Sequence, residues 1–313
     1  MCSPSCSLGP YRALHRLYCI LFHYTIYGVL TMSLLVRMPE KACSTTRIRE
    51  VVGPAGPGEG LSRLFLGFVP LEQGERRGFD FGPLDTVAVV MSGSVEAEWE
   101  DADGRMKHGI AEGRRDVFDG PPWAICARPR TTLFVKGLSA RAELALIRAE
   151  LIDEEEQEGS AEPPKPGAVI VSPHGLRVSR VRQIASVERS AGPGGRRARR
   201  LIVGEVMIPA GAGCDAALYQ DGDSTNGADP TCAEPACEGV LHYRFRPQQG
   251  AAIQRVRSLS HDYDHTYRVQ HGDTVAVPEG FHPEAPVCDC GLYILWARAG
   301  ADAVSIQLGG CSG

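Results

Sequence analysis

The chain has no excess of positive charge. Its 313 residues include 33 Lys and Arg against 38 Asp and Glu, so the formal net charge is −5 at pH 7. Proteins that bind the nucleic-acid backbone usually present a basic patch or stripe. The composition argues against a nucleic-acid-binding protein, and we expect no such partner.

Paired Cys-x-x-Cys motifs are also missing, although the chain has 11 cysteines. The number is odd and the spacing irregular, which argues against a structural zinc site and a disulfide framework. Cys288-Asp-Cys290 with Cys232 and Cys237 could build a soft-metal site, but we favour unrelated loop cysteines. We expect reduced thiols and a cytoplasmic protein.

A signal-peptide cleavage site is lacking after the apolar run at residues 17–36. The run contains His23, three tyrosines and threonine, which argues against a membrane anchor. Met32-Ser-Leu-Leu-Val-Arg-Met-Pro39 looks like a natural protein start. We therefore interpret residues 1–31 as an extension or a disordered tail, with a weak anchor as the remaining alternative, and expect no membrane association.

Helix-period stretches are scarce, whereas Gly (36) and Pro (22) are numerous. This balance predicts many short strands joined by turns. In the first half the predicted strands are Arg63–Val69, Thr86–Met91, Ser94–Trp99, Trp123–Ala127, Thr132–Val135 and Ala142–Arg148. Asp103-Gly104 predicts a hairpin between Glu96–Glu100 and Met106–Ile110.

Residues 151–166 (LIDEEEQEGSAEPPKP) interrupt the strand pattern. An acidic run followed by Gly, Ser and three prolines offers nothing to bury and predicts a linker. Beyond it, the predicted strands are Ala168–Val171, Leu201–Ile208, Val240–Phe245, Ala252–Val256, Tyr267–Val269, Thr274–Val277, Leu292–Ala297 and Val304–Gln307.

The two halves share a sequence pattern, in which a strand and turn lead to a Gly-Asp or Arg-Asp step, then to a proline and another strand. The pattern occurs at Arg114–Trp123 and again at His271–Pro278. It suggests an internal duplication. The predicted fold is all-β, with two jelly-roll barrels of the cupin type (a bicupin). The predicted boundaries are 32–150 and 167–300 for the barrels, with a tail at 301–313.

Six motifs occur in one order along the chain: Ser92-Gly-Ser-Val-Glu-Ala-Glu98, Gly113-Arg-Arg-Asp-Val-Phe-Asp-Gly-Pro-Pro122, Leu201-Ile-Val-Gly-Glu-Val-Met-Ile-Pro-Ala-Gly211, Tyr243-Arg-Phe-Arg-Pro-Gln-Gln-Gly250, Gln254-Arg-Val256 and Val277-Pro-Glu-Gly-Phe-His-Pro283. In these motifs the chain resembles the 5-deoxy-glucuronate isomerases of myo-inositol catabolism, bicupins related to the 4-deoxy-hexuronate isomerases. The resemblance covers about residues 32–300. It implies an aldose–ketose isomerisation of 5-deoxy-glucuronate to 5-dehydro-2-deoxy-gluconate.

The resemblance also implies a divalent metal in the C-terminal barrel, held by three histidines and one glutamate. Only His282 stands plainly on a ligand position. Tyr219 and Asp221 occupy the positions of a His-x-His pair, and Gly239 replaces the glutamate, with Glu238 one residue earlier. Asp221, Glu238 and His282, with Tyr219 beside them, are the candidate metal ligands, suited to Zn, Mn or Fe. In a regular strand Glu238 points to the wrong face unless a bulge intervenes.

Arginines suit bidentate binding of a sugar carboxylate, which makes Arg244, Arg246 and Arg255 candidates. Of these, Arg255 is the predicted substrate contact, together with Tyr293 on the last barrel strand. No catalytic residue is assigned. One alternative to an isomerase is a catalytically degenerate bicupin that acts as a binding or regulatory module, and another is a cupin with different metal chemistry, such as an oxygenase or a different sugar isomerase. A small sugar acid is the expected ligand, and a monomer and a homo-oligomer both stay open.

Overall fold

A computed structural model of the chain describes residues 33–37, 48–54, 60–151, 165–173, 181–189, 199–210, 237–258, 263–283 and 286–300. These residues form strands joined by turns and contain no helix, so the all-β prediction is confirmed. No helix long and apolar enough to cross a membrane occurs in the part of the chain described.

The N-terminal half consists of a nine-stranded sheet in which β10, β7, β5, β9, β3 and β2 follow one another, while β6 and β8 also pair with β5 and β4 pairs with β8. Its strands are β2 (Arg49–Val52), β3 (Leu64–Glu72), β4 (Arg76–Asp80), β5 (Asp85–Glu100), β6 (Met106–Arg114), β7 (Ala124–Ala127), β8 (Thr132–Gly137), β9 (Arg141–Ala149) and β10 (Ala168–Val171).

The C-terminal half consists of a six-stranded sheet, in the order β1-β16-β13-β18-β12-β11, and a three-stranded sheet, β15-β14-β17. Its strands are β1 (Leu35–Val36), β11 (Val181–Arg189), β12 (Arg199–Ile208), β13 (Cys237–Arg246), β14 (Ala251–Ser258), β15 (Asp264–Gln270), β16 (Thr274–Val277), β17 (Phe281–Pro283) and β18 (Gly291–Gly300).

The longest strand, β5, joins two strands that the sequence predicts separately. Its register shifts between Val90 and Ser92 and again between Gly93 and Val95. Gly93 has φ of +73°, and a Cβ placed there would lie 2.3 Å from the carbonyl oxygen of Arg141. Only glycine fits this bend, which carries β5 from its partners β7 and β9 to β6 and β8.

One hydrophobic core lies between the two halves and another lies within the N-terminal half. The shared core combines side chains such as Leu66 and Phe68 of β3 with Val240 of β13 and Leu295 of β18. Residues from Leu34 onwards accordingly form one compact unit. The two faces of the six-stranded sheet therefore have different surroundings. One face packs against the N-terminal half, and the other faces the interior of the C-terminal half.

Two short strands are exchanged between the halves, which corrects the predicted boundaries at those strands. Leu35 in β1 pairs with Val275 in the C-terminal half, although β1 begins the chain described. Conversely, β10 was predicted to open the second barrel but pairs with β7, with Ala168 opposite Ala127. The predicted strand at residues 304–307 lies outside the described residues.

A chain that begins at Met32 should be as stable as the full chain, whereas one that begins at Met38 should lose about 3–5 kcal/mol of unfolding free energy. The second truncation removes β1, in which Leu34 and Val36 are buried and the Leu34 carbonyl accepts a hydrogen bond from Ala276 N. Urea denaturation of the three chains measures the difference. Equal stability of all three would show that β1 contributes nothing.

Candidate functional site

The turn predicted to present His282 is present. Phe281 N donates to the carbonyl of Pro278 at 3.2 Å, and Gly280 at the third position of the turn has φ of +82°. The backbone of His282 then lies in β17 opposite Arg257 of β14. The side chain of His282, and all of Tyr219 and Asp221, lie outside what the structure describes.

Glu238 binds the N-terminal half, which corrects its interpretation as a metal ligand. One carboxylate oxygen accepts hydrogen bonds from the backbone N and hydroxyl of Ser62, both at 2.6 Å. The other accepts from Arg63 N at 2.9 Å and Leu64 N at 3.0 Å. The register of β13 is regular here, so no bulge turns the side chain toward the interior of the C-terminal half.

The opposite face of β13 points into the space between the six- and three-stranded sheets. Tyr243, fully buried there, donates its hydroxyl hydrogen to Gln254 Oε1 of β14 at 2.8 Å. Near the start of β13, the guanidinium of buried Arg298 lies 2.7 Å from Cys237 Sγ. Trp296 is also buried, and its indole Nε1 has no hydrogen-bond partner among the residues described.

These interior polar residues were not singled out from the sequence. A usable signal exists in β14, where Ala252, Gln254 and Val256 alternate with more exposed residues, so a glutamine lies between two apolar residues on the inward face. A polar side chain on an otherwise apolar strand face is a candidate for binding or catalysis. From the sequence, the neighbouring residue Arg255 was predicted as the substrate contact instead.

Arg255 lies on the outer face of β14, which corrects its assignment as a substrate contact inside the barrel. Its guanidinium forms a two-bond ion pair with Asp264 of β15, the Nε contact being 2.7 Å, and both side chains are more than two-fifths exposed. Exposed pairs of this kind contribute little to stability.

Tyr293 lies in the shared core between the two halves. It was predicted to contact the substrate, but its hydroxyl is bound by a protein side chain. The Arg114 side chain donates to the Tyr293 hydroxyl at 3.2 Å and to Glu205 Oε2 at 2.9 Å, and Arg182 donates to Glu205 Oε1 at 2.8 Å. Burial raises the pKa of Tyr293 above its usual value; the Arg114 guanidinium opposes this shift and Glu205 adds to it. The hydroxyl therefore stays protonated and does not serve as a base at neutral pH.

His242 is a second buried titratable group at this interface. Its Nδ1 lies 3.0 Å from Thr274 Oγ1, and its ring packs on Phe68 with centroids 4.5 Å apart. Burial holds the pKa of His242 well below 6.5, and the charges of Arg244 and His271 lower it further. His242 is therefore neutral in the folded protein near pH 7.

The free energy of unfolding should fall as the pH drops below about 6.5, by up to about 1.4 kcal/mol per pH unit from His242. In the unfolded chain His242 binds a proton at its ordinary pKa, whereas in the folded chain it stays neutral. The contribution of His242 to stability is therefore complete above pH 6.5 and is lost toward lower pH. Urea midpoints between pH 5 and 7.5 measure the slope. His242→Gln should reduce the slope and leave the share of His271, whose pKa is also lowered by burial. His108→Gln, on the exposed face of β6, is the control; equal slopes in all three proteins would refute the assignment.

The described donors do not fit a divalent metal. No group of three or more His, Cys, Asp or Glu side chains converges on a metal position within the described ranges. Catalytic metal sites commonly use three protein ligands. Glu238 is bound to β3, and at Gly239 the chain has no side chain to offer.

Comparisons with known proteins agree with this architecture. A 5-deoxy-glucuronate isomerase of Lacticaseibacillus casei is 36% identical over 76 residues, which are 24% of this chain and 28% of that protein. The alignment therefore spans little more than a quarter of the relative. The crystal structure of an IolB-like protein from Salmonella typhimurium matches with a TM-score of 0.59 and 20% identity, covering 88% of this chain and 97% of that one.

A second solved structure, the formate complex of Lactobacillus farciminis oxalate decarboxylase, has a TM-score of 0.58 at 13% identity and covers 90% of each chain. At these identities the two structures show the fold alone, which is of the cupin type. The model of the KduI/IolB family, in contrast, matches the sequence itself over residues 52–307. Because that match includes strands from both halves, the chain belongs to the KduI/IolB family.

Proposed function

We propose that the protein is a cytoplasmic aldose–ketose isomerase that converts 5-deoxy-glucuronate to 5-dehydro-2-deoxy-gluconate in the breakdown of myo-inositol. The family match across residues 52–307 is the observation that carries this proposal. The relatives named as 5-deoxy-glucuronate isomerases support the choice of sugar acid.

The proposed reaction moves hydrogen between two neighbouring carbons. A base removes the proton from C2, the C1 aldehyde becomes part of an enediol, and a proton returns to C1. The aldehyde thus becomes a primary alcohol and the C2 hydroxyl becomes a ketone, with no net oxidation. The reaction needs a base near that proton and positive charge beside the two oxygens.

The interior of the C-terminal half supports binding of such a substrate. Gln254 and Tyr243 provide amide and hydroxyl groups between the two sheets, and Arg298 provides a buried positive charge near the start of β13. These are hydrogen-bonding groups of the kind that select hydroxyl-rich ligands.

A second candidate function is a binding module that has lost catalysis. The contacts of Glu238 favour it, because the carboxylate nearest the family's glutamate position bonds to Ser62–Leu64. At Gly239 itself, a Cβ would meet Ala297 O at 3.4 Å and Val277 Cβ at 3.5 Å, ordinary contact distances. A side chain could therefore be restored at this position.

Incubating the purified full chain with 5-deoxy-glucuronate in deuterated water tests the proposal. An isomerase will form 5-dehydro-2-deoxy-gluconate, visible by NMR, at a rate proportional to protein concentration. Metal content of the same preparation, before and after chelation, reports whether the activity depends on Zn, Mn or Fe. No product, together with metal uptake only by the triple variant Tyr219→His, Asp221→His and Gly239→Glu, would establish the binding module instead.

A further inference from the structure

The strand β6 (Met106–Arg114) lies at an edge of the N-terminal sheet. One side of it pairs with the second part of β5. In the described part of the chain, no strand and no other backbone group bonds to its second side. A long unpaired edge is a template for pairing with another chain. We propose that β6 pairs antiparallel with β6 of a second copy of this chain, centred on Ile110, and so forms a twofold-symmetric dimer. The proposal does not depend on isomerase activity.

The inner face of β6 is already covered by the protein itself. Ala111 is fully buried there. Gly109 lies against Ile170 of β10, whose Cδ1 would be 2.5 Å from a Cβ added at the glycine. A second chain therefore has access only to the free edge and the outer face of β6. Pairing along that edge extends the sheet and leaves this core undisturbed.

The outer face of β6 carries two exposed apolar side chains. Met106 is 59% exposed and Ile110 is 51% exposed. Strand edges that remain free in solution are usually short or carry lysine or proline. β6 has nine residues and no proline, and its one lysine, Lys107, extends toward Asp101 with 4.0 Å between the charged atoms. The strand therefore lacks these forms of protection and offers an apolar surface to a partner.

A twofold axis at Ile110 makes the outer face of β6 complementary to itself. In an antiparallel pair, residues directly opposite each other have their side chains on the same face. Ile110 then lies opposite the partner's Ile110, and His108 lies opposite the partner's Glu112, an arrangement that the axis repeats on its other side. All three side chains are exposed. The register shift between β5 and β6 follows Ala111, so it falls toward the ends of this ladder and not at its centre.

The acidic residues beside β6 do not oppose this pairing. Glu96 and Glu98 of β5 lie on the same face, next to β6. Arg76 binds Glu98 at 2.6 Å, and Lys136 lies 3.6 Å from Glu96. Glu112, in contrast, has no ion-pair partner among the residues that the structure describes. The charges near the axis are thus balanced within each copy, and Glu112 is left to face the histidine of the other copy.

Sedimentation equilibrium of the full chain between about 1 and 300 μM tests the proposal, because an interface as small as one pair of strands associates in this range. The protein should be monomeric at the lowest concentration and mainly dimeric at the highest. Ile110→Lys should weaken dimerisation at least about tenfold, since it places two positive charges opposite each other. Ile253→Lys is the matched control, because Ile253 is also an exposed strand isoleucine, at 45%, but lies on β14.

Two further sets of variants test the register. His108→Glu should weaken dimerisation by placing carboxylates opposite each other, and His108→Glu combined with Glu112→Lys should restore it by reversing the pair. Ile110→Cys should give an intermolecular disulfide, because opposite Cα atoms lie about 4.5–5.5 Å apart. Glutathione disulfide serves as the oxidant and is reduced to two glutathione molecules as the two thiols form one bond. His108→Cys lies away from the axis and should give no such link by peptide mass spectrometry.

A chain that stays monomeric over the whole concentration range would overturn the proposal and leave the edge to a different partner. So would equal weakening by the two lysine variants, or a charge reversal that restores nothing. A disulfide through His108→Cys in place of Ile110→Cys would rule out the proposed axis. Urea midpoints, measured at concentrations where the protein is monomeric, show that each variant is folded.

Discussion

Glu238→Ala will lower the free energy of unfolding by about 3–5 kcal/mol. The substitution removes the acceptor for four hydrogen bonds, three of them from the backbone amides of Ser62, Arg63 and the buried Leu64. Hydrogen bonds to a charged group contribute more than neutral ones, and unsatisfied buried donors carry the full cost of desolvation. Urea denaturation followed by tryptophan fluorescence measures the change.

Glu98→Ala provides the matched control, because Glu98 is also a strand carboxylate but is about one-third exposed and pairs with Arg76 on the surface. We expect it to change stability by less than about 1 kcal/mol. Metal content of the Glu238 variant adds a second readout. A loss of bound metal with unchanged stability would reverse the interpretation and return Glu238 to the metal ligands.

Glu205→Leu will also cost about 3–5 kcal/mol of unfolding free energy. Glu205 is only 1% exposed and lies between Arg114 and Arg182, so its removal leaves two guanidiniums at the interface without their carboxylate. A buried ion pair often adds little net stability over an apolar pair, but an uncompensated buried charge is costly. The effect should be measured by urea denaturation at pH 7.

A double-mutant cycle that combines Glu205→Leu with Arg114→Met measures the interaction energy between these two side chains. The double variant should lose less stability than the sum of the single variants, because the second substitution removes the charge exposed by the first. Glu188→Leu is the control, since Glu188 pairs with Arg200 at 3.2 Å on a largely exposed surface. Additive losses in the cycle would show that Arg114 and Glu205 act independently.

Much of the fold could be predicted because alternation of apolar side chains survives in most strands. It is clear in the second part of β5, where the buried residues Val95, Ala97 and Trp99 alternate with less buried polar residues. It fails in β4 (Arg76–Asp80) and in β11 (Val181–Arg189), where polar residues prevail and pairing with a neighbouring strand decides the structure. The pairing partners of β1 and β10 could not be predicted either. A sequence pattern predicts that a segment forms a strand, but not which strands lie beside it in the sheet.

The candidate site was harder to predict for a different reason. The turn before His282 depends on local chemistry, namely Gly280 with positive φ, and was predicted correctly. The environments of Glu238, Arg255 and Tyr293 depend on which strand face meets the other half, which is a property of the assembled sheets. A shift of one residue along a strand reverses that face.

The reciprocal exchange of β1 and β10 has a consequence for synthesis on the ribosome. The first strand to be synthesised, β1, pairs with β16, which lies near the C-terminal end of the chain. The N-terminal sheet lacks its edge strand β10 until Val171 has been synthesised. The N-terminal sheet is therefore complete only once β10 has been made, and β1 stays unpaired until β16 has been made. Pairing over such separations slows folding, so the nascent chain should remain protease-sensitive until translation passes Val277, and a stalled chain ending at residue 150 should not form a protected N-terminal half.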